Sequence, residues 1–300
     1  MRTLAVFAQF DPDGIVPSHT LRYLAALARA TTRLVVVSSS PSLAAEGREA
    51  LAAHGEVVTR PNQGYDFGSW AAGLRQVGEW DGYDRVVLCN DSVVGPFAPI
   101  TDVLGDRAPG GADFWGIAAS REIEPHVQSW FMVYERSALD SGAPQRFWAE
   151  YEPISDRYQV IRAYEVGASR RFRDAGLRMG QYLRPRPVEL LRGQVRYRRA
   201  LRSRPDRAEA AREYVGAASR LGHAWNELVR PMWNPSYVFW DLALDGRLPL
   251  VKLDLLRDDP YRMGRGRVLK ALEEARPDVM EGVAEYLKRT RKALRKLRRA

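Results

Sequence analysis

The sequence predicts an α/β fold, in which a mostly parallel, doubly wound sheet is flanked by helices and followed by a helical C-terminal extension. Apolar segments of strand length, "TLAVFAQ", "RLVVVSS", "EVVTR" and "DRVVLCN", alternate with amphipathic segments of helical length. Strands that lack polar alternation are typical of parallel sheets covered on both faces. In such a sheet, ligands bind beyond the carboxyl ends of the strands.

The elements of the first part follow in order along the chain. "SHTLRYLAALARA" predicts a helix capped by Ser18, "PSLAAEGREALAAHG" one closed by Gly55, and "SWAAGLRQVG" one that begins at Ser69. "DFWGIAAS" and "VQSWFMVYER" predict further strands, and the second is suited to an antiparallel addition. From Asp156 the pattern is helical up to the short strand "RMGQYL".

The rest of the chain is expected to be helical. Two Arg-rich helices are predicted over about 187–229, and "NPSYVFWDLALDG" predicts another, capped by Asn234 or Ser236. A last helix is predicted from about Gly266 to the end. We therefore divide the chain into 1–183, a sheet domain; 184–264, a helical part packed on it; and 265–300, a basic amphipathic helix.

Charge is concentrated at the carboxyl end. The formal net charge is +9, and the segment "KRTRKALRKLRRA" holds eight Lys or Arg and no acid, which leaves +1 for the remainder. A near-neutral body argues against a globally basic nucleic-acid binder, so we expect no nucleic-acid partner. Salt-dependent binding to plain DNA would favour the opposite interpretation.

The basic segment also has an apolar face. Val283, Leu287, Leu294 and Leu297 lie near one side of the predicted helix, with Tyr286 beside them. A basic helix with such a face is typical of binding to an anionic membrane surface. The alternative is a helix packed on the body of the protein.

Composition favours a cytoplasmic protein. Cys89 is the single cysteine, which excludes internal disulfides and a Cys-rich zinc site and fits a reducing compartment. The apolar runs are short of the roughly 20 residues that a membrane-spanning helix needs. The N-terminus shows no signal-peptide pattern.

Two loops predicted at strand ends carry candidate ligand-binding residues. In "RPNQGYDFGSWAAGL", the bare backbone of Gly64 and Gly68 beside Asn62 and Asp66 suits close approach of a phosphate or nucleotide. The alternative is a tight turn with hydrogen bonds from the Asn or Asp side chain.

The second loop is "CNDSVVGP", which follows a core strand. An acid there is costly unless it serves a metal or a ligand, so Asp91 is a candidate for binding a divalent cation together with a diphosphate. Asn90 and Ser92 offer neutral oxygens at the same place. The alternative is that Asp91 caps the turn.

Further candidates lie downstream. By strand alternation, His126 and Gln128 of "EPHVQSWF" share one face, although a lone His is more often structural. Glu165 precedes a predicted helix, where an acid is either a general base or a partner of the helix dipole. Lys252 and Arg257 are cations that could reach a phosphate, or simply remain solvated.

These motifs, in this order, resemble the rhamnan synthesis protein F family. The resemblance is carried by "NQGYDFGSW", "LCNDSVVGP", "FWGI", "HVQSWF", "YEVGASRRFRDAGL" and "NPSYVFWDLALDGRLPLVKLDLLRDDP", and extends from Leu4 to about Tyr261. That family is similar to inverting glycosyltransferases with the GT-A fold. Such enzymes have an Asn-x-Gly stretch before a helix, an Asp-x-Asp metal site after a strand, and an acid that acts as the base.

The resemblance implies roles for particular residues. Asn62 and Gly64 match the first stretch, Asn90-Asp91-Ser92 lies at the metal position with a single acid, and Glu165 lies at the base position. The glycine loop would bind the nucleotide sugar, with Asp66 accepting hydrogen bonds from it. The remaining implied contacts are His126, Gln128 and Trp115 on the sugar or acceptor, and Lys252 and Arg257 on the diphosphate.

The activity implied is a transfer of rhamnose from deoxythymidine-diphosphate rhamnose to a cell-surface or lipid-linked glycan, with inversion. Mg²⁺ or Mn²⁺ would bind at Asp91, and the protein would act at the inner face of the cell membrane. Since the outer acids of the metal motif are missing, the alternative is a non-catalytic scaffold that binds a nucleotide sugar or glycan within a polysaccharide assembly complex.

Overall fold

The computed structural model describes residues 1–202 and 234–297. Its strands are β1 (Thr3–Gln9), β2 (Arg33–Ser38), β3 (Glu56–Thr59), β4 (Arg85–Asn90), β5 (Val93–Val94), β6 (Phe114–Gly116), β7 (Ala119–Ser120), β8 (His126–Val127), β9 (Phe131–Glu135), β10 (Met179–Gln181) and β11 (Val251–Lys252).

A seven-stranded sheet organises the described residues, in the order β10-β6-β9-β4-β1-β2-β3. β9 runs antiparallel to both of its neighbours, β4 and β6, and the other pairs in this sheet are parallel. The mostly parallel sheet and its antiparallel strand from "VQSWFMVYER" are therefore confirmed.

Helices pack on both sides of the sheet. They are α1 (Ser18–Ala30), α2 (Ala45–Ala52), α3 (Tyr65–Val77), α4 (Ile100–Leu104), α5 (Arg136–Asp140), α6 (Ala143–Ala149), α7 (Arg157–Val160), α8 (Gly167–Asp174), α9 (Pro187–Arg202), α10 (Pro235–Val238), α11 (Leu253–Arg257), α12 (Arg265–Ala275), α13 (Pro277–Met280) and α14 (Val283–Leu297). A π-helical segment, Ile161–Val166, joins α7 to α8. Two 3₁₀ turns are Pro109–Gly111 and Trp240–Ala243.

Two hydrophobic cores lie on the two faces of the sheet. Because strand side chains alternate between faces, Phe7 of β1 joins Leu24 of α1 in one core, while Val6 joins Trp70 of α3 in the other. All four side chains are fully buried. Burying an aliphatic or aromatic side chain of this size stabilises the fold by roughly 1.5–3 kcal/mol.

The C-terminal elements extend the first core. Leu250, Leu255 and Val283 are completely buried in the same cluster as Phe7. β11 also pairs with β5 in an antiparallel ladder, which attaches the later chain beside the end of β4. The three-domain division stays a prediction, but the described parts of all three share this core.

Three predicted helix ends are wrong. α1 has the predicted bounds, but Ser18 does not cap it: its hydroxyl donates to the carbonyl of Glu281, 3.1 Å away. α3 begins at Tyr65 and not at Ser69, so the glycine loop runs directly into its first turn. The predicted last helix is three helices, because Pro277 starts a new one and Gly282 takes a left-handed conformation (φ +77°). The predicted helical residues 203–229 lie outside the described residues.

Candidate active site

A pocket of about 480 Å³ opens at the carboxyl edge of the parallel strands. The loops after β1 and β4, the first turn of α3, the segment before β9 and the π-helical segment all contribute side chains to it. The predicted candidates on its wall are Asp66, Asn90, Asp91, Ser92, His126, Gln128, Glu165, Lys252 and Arg257. Their convergence follows from parallel strands, whose carboxyl ends meet at one edge.

Asn90 connects the two predicted loops. Its Nδ2 donates to Asp66 Oδ2 at 2.8 Å, and its Oδ1 accepts from the Ser92 hydroxyl at 2.6 Å and the Ser92 N–H at 3.2 Å. Burial raises the pKa of Asp66, while the Asn90 hydrogen bond and the positive charges of Lys252 and Arg157 oppose that rise. The amide therefore fixes the Asp66 carboxyl toward the pocket.

Asp91 lies directly beyond the last residue of β4. Its Oδ2 accepts the Phe10 N–H at 2.8 Å, so the carboxyl also holds the loop after β1. Burial raises the pKa of Asp91 well above its usual range, and the neighbouring carboxyls of Asp66 and Asp11 raise it further. Asp91 thus keeps a proton to higher pH than an exposed aspartate does.

The residues around Asp91 do not form a metal cage. Across residues 1–202 and 234–297, no group of three or more His, Cys, Asp or Glu side chains lies close enough to hold a metal ion. The Asn90 and Ser92 groups beside Asp91 are engaged in the hydrogen bonds given above. Binding of Mg²⁺ or Mn²⁺ at Asp91 therefore stays a prediction, and this donor set does not support it.

Glu165 lies on the π-helical segment, with its carboxylate in the pocket. Its Oε1 accepts the Ser129 N–H at 3.3 Å and lies 3.7 Å from His126 Nε2. The other ring nitrogen of His126, Nδ1, lies 2.7 Å from the carbonyl oxygen of Glu124, which fixes the ring. Single π-helical turns occur often at functional sites.

The prediction that Glu165 stands before a helix is wrong. Helical backbone runs without a break from Arg157 through the π segment to Asp174, and Gly167 has ordinary helical dihedrals (φ −62°, ψ −40°). Glu165 is consequently inside the helix, where it cannot act as an N-terminal cap. This position excludes the alternative that Glu165 is a partner of the helix dipole at a helix N-terminus.

Gln128 and His126 share the pocket wall as strand alternation predicts, and both are more than nine-tenths buried. Gln128 Oε1 accepts from the Ser236 hydroxyl at 2.6 Å and from Trp130 Nε1 at 3.3 Å. These bonds attach the C-terminal helix α10 to the segment before β9. Gln128 therefore supports the wall of the pocket as well as lining it.

Lys252 and Arg257 bring positive charge to the pocket from the C-terminal part. Lys252 ends β11, and its Nζ lies 5.7 Å from the centre of the Tyr237 ring. Arg257 ends α11, and its Nε donates to Asp258 Oδ2 at 2.9 Å. Arg157, at the start of α7, is a third cation on the wall.

Four predicted site residues lie elsewhere. Trp115 is fully buried in the sheet, and its Nε1 donates to Glu135 Oε1 at 2.7 Å, so its assignment to the sugar site is wrong. Asn62 is exposed in the loop before α3 and is not part of the pocket wall. Gly64 and Gly68 are also absent from the wall.

The two glycines serve the packing of their own loop. Gly64 is left-handed (φ +72°), and a Cβ there would lie 2.0 Å from the Tyr151 hydroxyl. A Cβ at Gly68 would lie 2.1 Å from the carbonyl oxygen of Gln63. The predicted close approach of the backbone to a ligand is therefore wrong, because the atoms that approach belong to the protein.

Sequence reasoning missed several wall residues. Phe10 follows the end of β1, and this position was itself a signal, since ligands collect at such strand ends. Tyr286 and Thr290 come from α14, and Arg157 from α7. No local pattern marks these three, because long-range packing brings them to the pocket.

The membrane prediction for the last helix needs correction. Val283 and Leu287 are buried against the body, at 0% and 7% exposure, so they are not available to lipid. The side chains of Leu294 and Leu297 lie outside the described part. No helix among the described residues combines the length and apolar character needed to cross a bilayer.

Comparison with known proteins gives relatives of limited identity. Virulence protein VirA from Vibrio anguillarum is 26% identical over 225 residues, covering 72% of this chain and 66% of that protein. The chain thus spans just under two thirds of that relative's length. Protein y4gN from Sinorhizobium fredii is 21% identical over 191 residues, covering 62% of this chain and 49% of that protein.

Solved structures overlap weakly. Glucosyl-3-phosphoglycerate synthase from Mycobacterium tuberculosis shows 16% identity and a TM-score of 0.37, covering 66% of this chain and 78% of its own. The glycosyltransferase GlyE from Streptococcus pneumoniae shows 12% identity and a TM-score of 0.39, covering 93% and 64%. The model of the family described as rhamnan synthesis protein F matches residues 34–198, which is more than half of the sequence. The chain belongs to the rhamnan synthesis protein F family.

Proposed function

We propose that the protein is a glycosyltransferase that moves a sugar from a nucleoside-diphosphate donor to an acceptor hydroxyl. The observation that supports this most is that one pocket brings together the Glu165 carboxylate from the π-helical segment and the cations Lys252 and Arg257 from the C-terminal part. The pocket volume of about 480 Å³ is in the range of small-molecule sites. Membership of the rhamnan synthesis protein F family agrees with this chemistry.

The proposed reaction is a single displacement. Glu165 accepts the proton of the acceptor hydroxyl, and the hydroxyl oxygen forms a bond to the anomeric carbon of the donor. The bond from that carbon to the diphosphate oxygen breaks, and the diphosphate leaves with the electron pair. Attack opposite the leaving group inverts the anomeric centre.

Residues of the chain would hold the groups in this reaction. The Ser129 N–H fixes one oxygen of Glu165, which leaves the other for the acceptor. Lys252 and Arg257 would stabilise the charge on the departing diphosphate, a role that needs fixed cations in a site shielded from water. No step is assigned to a metal ion.

Donor selection is proposed at the Asp66–Asn90 pair. A carboxyl oriented by an amide at 2.8 Å can accept a hydrogen bond from a nucleobase N–H or a sugar hydroxyl. Because of the family, deoxythymidine-diphosphate rhamnose is the first donor to test. A lipid-linked glycan is the proposed acceptor, with His126 and Gln128 on its side of the pocket.

A lipid-linked acceptor requires access to a membrane, and we propose the outer face of α9 for this contact. Val188, Leu191 and Val195 project from it with 59%, 55% and 59% exposure. The acid of this helix, Glu189, faces inward and pairs with Arg247 at 2.7 Å. An apolar stripe on an Arg-rich helix suits an anionic bilayer.

The membrane contact is tested by sedimentation with vesicles that contain anionic lipid. Leu191→Glu should reduce binding severalfold, because it places a charge in the apolar stripe. Lys270→Glu on the exposed side of α12 changes charge more strongly and should have a smaller effect. If both variants lose vesicle binding equally, general electrostatic attraction explains the binding better than a specific contact through the α9 face.

The function itself is tested by donor binding followed by turnover. A thermal-shift screen across nucleotide sugars should identify a donor, because a ligand that binds only the folded state stabilises it. Release of nucleoside diphosphate in the presence of a lipid-linked acceptor should then depend on Glu165. Donor binding without any turnover would favour the non-catalytic scaffold, and absence of donor binding would refute the proposal.

A further inference from the structure

The C-terminal helix α14 forms part of the pocket wall. Tyr286 and Thr290 line the pocket together with Asp91. One turn apart on the same helix, Val283 and Leu287 are buried in the core. The helix is thus held in place by its apolar residues while neighbouring positions face the pocket, so α14 and the strand-end loops enclose one space.

An ion pair attaches α14 to the loop after β1. Arg289 donates to Asp11 Oδ1 at 2.9 Å and to Asp13 at 2.6 Å, and its second terminal nitrogen reaches Asp11 Oδ2. Asp11 is 1% exposed and also accepts the N–H groups of Asp13 and Ile15. A forked guanidinium–carboxylate pair fixes geometry as well as charge.

Both sides of this ion pair carry pocket residues. The loop that contains Asp11 also contributes Phe10 and Pro12 to the wall, and the Arg289 side contributes Tyr286. Separation of Arg289 from Asp11 would therefore let two walls of the pocket move apart. This makes the pair a positioning element for the ligand.

The Tyr286 ring packs against helix α1. His19 of α1 packs against it edge-on, with ring centroids 4.6 Å apart. Burial lowers the pKa of His19 to about 4, so this ring is neutral near pH 7 and packs as an apolar group. Burial also raises the pKa of Tyr286, which keeps its hydroxyl protonated and able to donate.

The surroundings of the Tyr286 hydroxyl indicate what it binds. Asp91 and Arg257 line the same pocket, and the Arg289 guanidinium carbon lies 5.5 Å from the centre of the Tyr286 ring. Arg257 is the cation proposed to contact the diphosphate. A phenol that shares a pocket wall with a cation can donate to a phosphate oxygen that the cation attracts.

We infer that Tyr286 is a binding residue for the diphosphate of the donor, and that Arg289 positions it through Asp11. The basic C-terminal helix is then a structural part of the donor site. This inference rests on the proposed function, since it requires that the pocket binds a nucleoside diphosphate.

The experiment measures binding of deoxythymidine diphosphate to the full chain by calorimetry. Tyr286→Phe keeps the ring and removes only the donor, and should raise Kd by roughly tenfold or more, as loss of a hydrogen bond to a charged group does. Arg289→Lys keeps the positive charge but loses the fork to Asp11, and should raise Kd severalfold. Lys288→Ala removes an exposed charge from the same helix and should leave Kd unchanged.

The outcomes separate this inference from the function on which it rests. Failure of the wild-type chain to bind any nucleoside diphosphate overturns both. Binding by the wild type and equally by Tyr286→Phe overturns the inference alone. If Arg289→Lys unfolds at a lower temperature than the wild type, the nucleotide Kd of Tyr286→Phe alone tests the inference. The rival role for α14 is contact with an anionic membrane surface, which sedimentation with anionic vesicles tests. That role is supported, and the inference overturned, if Lys288→Ala loses vesicle binding and Tyr286→Phe binds nucleotide with the wild-type Kd.

Discussion

Replacing Asp91 by Asn should make the protein more stable and less able to handle its donor. Asn has the same shape and keeps an oxygen for the Phe10 N–H, which now donates to Asp91 at 2.8 Å. It removes a carboxyl whose pKa burial raises well above the usual range. The substitution therefore removes a titratable group from the pocket with little change in packing.

The sign of the stability effect follows from proton linkage. In the unfolded chain Asp91 ionises near pH 4, whereas in the folded chain it keeps its proton to higher pH. The folded state then binds more protons, so stability falls as pH rises from about 4 through the raised pKa. Each pH unit of that interval costs the wild type about 1.4 kcal/mol. Asn does not titrate, so the variant escapes this loss.

The assay is thermal unfolding of both proteins at pH 4, 6 and 8. The melting temperature of Asp91→Asn should exceed that of the wild type at pH 8, by about 2–4 °C for each kcal/mol recovered. The difference should shrink toward pH 4. The donor affinity of the wild type should fall from pH 4 to pH 8, because the protonated Asp91 carboxyl can donate a strong bond to a phosphate oxygen and the ionised carboxylate cannot. A lower melting temperature for the variant at pH 8 would refute this reasoning and favour the turn-capping role of Asp91.

Further expectations concern the base, the cations and the glycine loop. Glu165→Gln keeps an acceptor for the Ser129 N–H, and should lower transfer by at least about a hundredfold with donor Kd unchanged; near-normal nucleoside-diphosphate release would contradict this. Lys252→Ala should raise donor Kd by roughly tenfold or more in calorimetry. Gly64→Ala should destabilise the fold in urea titrations by more than the 1–2 kcal/mol of a left-handed L-residue, because its Cβ would meet a tyrosine hydroxyl. Gly264→Ala is the matched control, because Gly264 is also left-handed (φ +83°, ψ +64°) and the nearest atom to its Cβ position is Arg267 Nε at 4.0 Å; it should show the backbone cost alone.

The sheet and half of the pocket were predictable because their causes are local. Continuous apolar strands indicate a parallel sheet, and a parallel sheet gathers the residues after its strands at one edge. Asp91 follows β4 directly, and Asn90 then bonds to Asp66 of α3 at 2.8 Å. Sequence position alone was enough to bring these residues to the same place.

Other predictions failed because the sequence does not show which atoms of the folded chain will lie next to a given residue. Gly64 and Gly68 have the bare backbone that a bound phosphate needs, but the Tyr151 hydroxyl and the Gln63 carbonyl occupy those positions. Trp115 lies in a strand whose two faces are both covered, so its aromatic character gives no information on access to the pocket. The sequence pattern predicts Glu165 at the start of a helix, as a base or a partner of the helix dipole, but the backbone is helical on both sides of this residue.

The charge balance of the pocket shows why the C-terminal part belongs to the site. Four wall acids, Asp66, Asp91, Glu122 and Glu165, come from the first 165 residues, and Arg157 is the wall cation contributed by that part. The other two, Lys252 and Arg257, arrive through the pairing of β11 with β5 beside the end of β4.

The pairing of β11 with β5 brings cations to the pocket from outside the stretch that the family model matches. The family model matches residues 34–198, and Lys252, Arg257 and Tyr286 follow that stretch, although Lys252 and Arg257 lie within the resemblance that extends to about Tyr261. Ionised acids on the wall would repel a diphosphate unless cations offset them, because like charges at short range disfavour each other in a recessed site. The matched region therefore contributes the proposed base, Glu165, and the proposed donor-selecting pair Asp66–Asn90, while two of the three described wall cations come from the chain that follows. Relatives that share residues 34–198 but lack cations at the positions of Lys252 and Arg257 should bind a nucleoside diphosphate more weakly.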